Sequence, residues 1–145
     1  MRRPLMFTAL LMGLFTAAPA SAATRQFDFW TSSELTPGRA HTYGSIDFQY
    51  ATRVTVSGRL NDVCNGDSDG DGFGAYLRAT FVMDNGNTRT LSAKDTTGCQ
   101  NPDGVDVWLS EDAPRPIQAV RLYLYEYDAD RNSTADTATK RIKAP

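Results

Sequence analysis

Apolar and polar residues alternate one for one along several separate stretches of this chain, and a period of two dictates extended strands with one face buried. The clearest run is Gly74 to Asp84, where Ala75, Leu77, Ala79, Phe81 and Met83 fall on one side and Tyr76, Arg78 and Thr80 on the other. It ends at Asp84-Asn85-Gly86-Asn87. Both residues of the Asn-Gly centre tolerate positive φ, so a hairpin returning over Thr88 to Ala93 is expected.

The same alternation marks Ile46, Phe48 and Tyr50, then Val54 and Val56, then Val105, Val107 and Leu109. Gln26 to Trp30 is a short aromatic strand candidate, followed by a loop from Thr31 to Tyr43 around Pro37-Gly38. Ile117 to Tyr127 is the longest run. Val120, Leu122 and Leu124 oppose Arg121, Tyr123, Tyr125 and Tyr127, and the alternation breaks only where Gln118 and Ala119 open the strand. Thr137 to Ile142 adds a short last strand, or Asn132 to Pro145 forms a disordered tail.

No window outside the first 22 residues carries a 3.6-residue apolar stripe, and the acidic residues are 14 Asp against 3 Glu, a turn-rich and helix-poor balance. Seven or eight short strands bounded by Gly, Asn, Asp and Pro predict an all-β fold, an antiparallel β-sandwich in preference to a barrel.

The first 22 residues read as a secretory signal peptide: Arg2-Arg3, an apolar run from Leu5 to Ala18, and Ala20-Ser21-Ala22 as the cleavage signal. A single secreted, extracellular domain over residues 23–145 is then expected, with no spanning segment and no lipid or C-terminal anchor signal. In that oxidising setting Cys64 and Cys99, the only cysteines, are expected to form one disulfide, worth about 3 to 4 kcal/mol in the chain-entropy picture. Cleavage removes two arginines and leaves 13 basic against 17 acidic residues, a net charge of −4. With no basic cluster before the last few residues, neither nucleic acid nor an acidic membrane is an expected partner.

Two patterns carry chemistry. Asp67, Asp69 and Asp71 followed by Gly72 reproduce the first half of a D-x-D-x-D-G calcium loop, in which a glycine turn aims alternate carboxylates at one hard cation. Position 12, where a bidentate Glu belongs, is Arg78, and a strand pattern replaces the exiting helix, so the loop is not an EF-hand. It is either a Ca²⁺ site completed by neighbouring loops or a solvated turn. Asp128-Ala129-Asp130-Arg131-Asn132 with Asp136 is a weaker echo that forms a site of its own or donates ligands to the first loop.

The second pattern is aromatic. If the aliphatic residues face inward, period two turns Tyr76, Trp108, Tyr123, Tyr125 and Tyr127 outward. Beside Arg78 and Arg121 they make a platform for sugar rings or a protein partner; the competing readings are cross-strand pairs that only stabilise the sheet, or a core with the faces reversed. Catalysis draws little support. His41, the only histidine, sits in the early loop and reads as solvated, with no G-x-S-x-G or H-E-x-x-H motif around it.

Gly44-x-Ile46-x-Phe48, Val54-Thr55-Val56-Ser57-Gly58, Asp62-x-Cys64, Gly72-x-Gly74-Ala75-Tyr76 and Gly98-Cys99, in this order behind a signal peptide, resemble small secreted β-rich proteins of actinobacteria whose function is uncharacterised. The resemblance implies a secreted β fold and no catalytic residue. The role expected on these grounds is an extracellular, non-catalytic binding or interaction module; the alternative is an inhibitor that presents the loop Ser110 to Pro116 to a hydrolase.

Overall fold

The computed structural model describes residues 22–31, 38–64, 72–97 and 103–145. Within them the chain forms eight strands and no helix: β1 (Ala23–Trp30), β2 (Gly38–Phe48), β3 (Arg53–Cys64), β4 (Phe73–Met83), β5 (Thr88–Asp95), β6 (Val105–Asp112), β7 (Ile117–Asp128) and β8 (Ser133–Lys143). All pairings are antiparallel. They build two four-stranded sheets, β1-β2-β3-β6 (sheet A) and β5-β4-β7-β8 (sheet B), so the chain changes sheet between β3 and β4, between β5 and β6, and between β6 and β7.

One apolar core lies between the sheets. Ile46, Val54, Val56 and Leu60 from sheet A meet Leu77, Phe81, Val120, Leu122 and Leu124 from sheet B in a single buried cluster. The alternation in sequence is the cause: over Ala75–Phe81 of β4 and Val120–Asp128 of β7, buried residues alternate with ones that point away from the core. Thr42 is fully buried, and its Oγ1 donates to the Arg59 carbonyl at 2.8 Å.

Three local details differ from expectation. The Asp84–Asn87 hairpin is not the turn with two positive-φ residues that Asn-Gly favours, because only Gly86 is left-handed (φ 84°). Gly86 N–H donates to the Met83 carbonyl and Met83 N–H to Asn87, which makes the wider loop of a turn followed by a left-handed glycine. Asn85 Oδ1 accepts from Asn87 N–H at 3.0 Å, and this bond favours the wider form. Second, of the two readings of the C-terminal segment the strand holds, and it is longer than Thr137 to Ile142. It is an eleven-residue strand, not a tail, because every second residue of β8 leans toward the core, and Ile142 packs against it. Third, β2 begins at Gly38, so the later half of the expected loop is strand.

Two of the pairings are irregular. The register of β4 on β7 slips at Gln118, where the alternation breaks in sequence, and β7 on β8 slips at Ala135. Gly44 and Gly58 face each other across β2 and β3 so closely that a Cβ on either would sit 2.0 or 2.1 Å from a backbone oxygen of the other strand. Gly86 has open space around it. Gly58→Ala is therefore expected to cost about 3 kcal/mol or more, and Gly86→Ala about 1 kcal/mol from its left-handed φ alone. Thermal melts of the two variants check the ordering.

Candidate functional site

Strands β4 and β7 are the central pair of sheet B, and their register puts Tyr76 opposite Tyr125 and Arg78 opposite Tyr123. On the outer face the rings close into one cluster. Tyr76 stacks on Tyr125 at 5.1 Å between centroids and 14° between planes, meets Tyr127 edge-on at 5.8 Å, and Tyr123 lies 5.3 Å from Tyr125. The Arg78 guanidinium stands 5.7 Å from the centre of the Tyr125 ring. Tyr127 donates its hydroxyl hydrogen to Asn132 Oδ1. Burial, helped by the neighbouring Tyr125 and Tyr127, pushes the Tyr76 phenol above its ordinary value, so it remains a neutral donor.

Of the five aromatic residues expected to share a platform, Tyr76, Tyr123, Tyr125 and Tyr127 come together and Trp108 does not. Trp108 lies on β6 in sheet A, opposite Ser57, and is 72% exposed on that sheet's own outer face. Period two assigned each ring to an outer face; it carried no information on which sheet the strand joins.

Sheet A holds a second aromatic group that sequence reasoning missed. Trp30 and His41 stack at 3.8 Å and 6°, Tyr43 lies 5.2 Å from His41, and the His41 Nε2 is 2.8 Å from Asp28 Oδ1. His41 is therefore not a solvated loop residue. It is a strand residue with a ring on each side and a carboxylate on its nitrogen. The alternation of Arg39, His41 and Tyr43 was the available signal, masked by Pro37-Gly38 just ahead of it.

The Asp67, Asp69 and Asp71 loop and Cys99 lie outside the described residues. The end of the two sheets at which β3 ends and β4 begins is acidic. Asp62, Asp95, Glu126 and Asp128 are all buried at this end of the two sheets. Asp95 ties the sheets together: its Oδ2 accepts from Asp62 N–H at 3.2 Å, and its Oδ1 accepts from the Thr97 N–H and hydroxyl at 3.1 and 2.6 Å. Asp128 accepts from Arg131 N–H at 2.9 Å. The Asp128–Asn132 turn reaches back to the loop's exit, where Ala129 N–H donates to the Gly72 carbonyl. Among the described residues no group of three or more His, Cys, Asp or Glu is arranged to hold a metal ion. Cys64, at the end of β3, is not a free thiol.

The loop considered for an inhibitor is strapped down. Ala113 N–H donates to Thr52, Ile117 N–H to Ala51, and Asp84 N–H to Pro116, while Arg115 grips Asp84 through two hydrogen bonds of 2.6 and 3.0 Å. No family model matches this chain, and no curated protein or solved structure does either.

The Arg115 bond holds the Asp84 carboxyl below the ordinary carboxylate value, and it raises Arg115 in return. Stability from this pair is full above the unfolded carboxylate pKa of about 4 and is lost as pH falls through the lower folded value. Asp84→Asn should flatten that acid limb and leave the melting temperature nearly independent of the substitution at pH 2. A melting series from pH 2 to 7 on both proteins reads it.

Proposed function

We propose that this chain is a secreted, non-catalytic binding module that holds its ligand against the tyrosine-lined outer face of sheet B. The observation that carries the reading is the contact of four tyrosines on two adjacent central strands, backed by a rigid core and edged by Arg78. Tyrosine suits such a surface because it offers a broad ring at low entropic cost together with a hydroxyl that exchanges hydrogen bonds. On sheet A, by contrast, Trp108 stands two strands away from Tyr43 and outside the group formed by Trp30, His41 and Tyr43.

Export is part of the proposal. It rests on the Arg2-Arg3, apolar and Ala20-Ser21-Ala22 sequence, and β1 starts at Ala23, next to the expected cleavage bond. So is a crosslink from Cys64 to Cys99, supported by Cys64 not being a free thiol. Ca²⁺ at Asp67, Asp69 and Asp71 is proposed as a stabiliser, supported by the D-x-D-x-D-G spacing that aims alternate carboxylates at one cation.

Retention by immobilised or gel-entrapped glycans tests the binding face. Tyr125→Ala should weaken binding about tenfold, close to 1.4 kcal/mol, and lower the melt by only a few degrees, whereas Trp108→Ala leaves binding intact. Loss of binding on Trp108→Ala alone would move the ligand to sheet A. For calcium, the melting temperature should rise with added Ca²⁺ and fall with chelator; an unchanged melt removes the ion from the proposal.

A further inference from the structure

Strand pairing gathers on one surface cations that the sequence scatters over four segments. The outward positions of sheet B form register rows across β5, β4, β7 and β8: Lys94, Tyr76, Tyr125, Thr137; then Ser92, Arg78, Tyr123, Thr139; then Thr90, Thr80, Arg121, Arg141; then Thr88, Val82, Ala119, Lys143. Five of the sixteen positions are basic and none is acidic, in a chain whose acids outnumber its bases. The corresponding rows of sheet A are of mixed sign, with Asp28, Asp47 and Asp106 against Arg59.

These charges are held against their own repulsion. Arg121 lies directly opposite Arg141, and like charges directly opposite each other destabilise a sheet. Among the described residues none of Arg78, Lys94, Arg121, Arg141 and Lys143 forms an ion pair with a carboxylate. All five are exposed. Strands lie about 4.8 Å apart and successive outward residues about 6.8 Å apart, so the patch extends about 14 Å across and about 20 Å along the sheet. That is a surface for a chain with repeated negative charge, not for a single anion.

Resting on the reading of the tyrosine face as the binding surface, we propose that its ligand is an acidic polysaccharide whose carboxylate or sulfate groups meet the five cations while its sugar rings lie on Tyr76, Tyr123 and Tyr125. The ring faces stack on the apolar faces of sugars. Hydroxyls of Thr80, Thr90, Ser92, Thr137 and Thr139, set in the same rows, supply hydrogen bonds to sugar hydroxyls. Charge complementarity chooses an acidic glycan over a neutral one, and also makes the interaction salt-sensitive.

The test uses the exported chain with four probes: polygalacturonate, a sulfated glycan, neutral dextran and single-stranded oligothymidylate. Titration calorimetry should show binding to one or both acidic glycans, none to dextran, and a loss of about tenfold or more between about 50 and about 200 mM salt. Arg121→Gln with Arg141→Gln should weaken binding about tenfold while the melt holds or rises, because the like-charge pair is removed; Arg59→Gln on sheet A should change nothing. Equal binding of dextran and the acidic glycans, lost in Tyr125→Ala but kept in the arginine double variant, overturns the charge assignment and leaves the tyrosine face standing. Acidic-glycan binding that survives both Tyr125→Ala and the double variant overturns both. Tighter binding of oligothymidylate than of either acidic glycan, or no binding to any probe, overturns the proposal.

Discussion

A strand cannot send two neighbouring side chains to the same face, and here that restriction joins the core to the display surface. In β7, burying Val120, Leu122 and Leu124 leaves Arg121, Tyr123 and Tyr125 no place but the outside. In β4, Leu77, Ala79 and Phe81 do the same to Tyr76, Arg78 and Thr80. A slip of one residue would put guanidinium groups and phenols into the core and expose the leucines, at a cost of several kcal/mol per charge buried. The geometry of the tyrosine cluster is therefore enforced from the other side of the sheet, by hydrophobic burial that never touches it.

The two ends and two faces of the molecule are electrostatically unlike. Acids gather at the end where Asp62, Asp95, Glu126 and Asp128 are buried, and Asp95 bridges the sheets there by accepting from Asp62 N–H while Thr97 holds its other oxygen. The outer face of sheet B collects bases. A net negative charge thus hides a strongly polarised surface with a basic face, and it is local field, not net charge, that a ligand meets.

Much of the fold was legible because its signals are local. The Gly74 to Asp84 strand, its Asn-Gly turn and the break at Gln118 all appear in the structure close to where the sequence places them. Misreadings arose where a local cue competed with a distant one. Pro37-Gly38 marked a loop, yet Ala40, Thr42 and Ile46 had a core to enter, so β2 starts at Gly38 and His41 becomes a strand residue between two rings. Residues 132–145 left a strand over Thr137 to Ile142 and a tail both open, and the free edge of β7 decided for the strand because β8 could pair with it. Trp108 was rightly placed on an outer face and wrongly grouped with the tyrosines, since its strand belongs to the other sheet.

By itself the sequence determined which side chains of each strand turn outward, because that follows from the pleat and the next residue along. Tertiary structure alone decided which outward side chains become neighbours. Lys94, Arg78, Arg121 and Arg141 share a surface only because β5, β4, β7 and β8 pair in that order, and their pairing is set by burial between segments far apart in the chain. Composition therefore pointed away from a basic surface, and strand order assembled one.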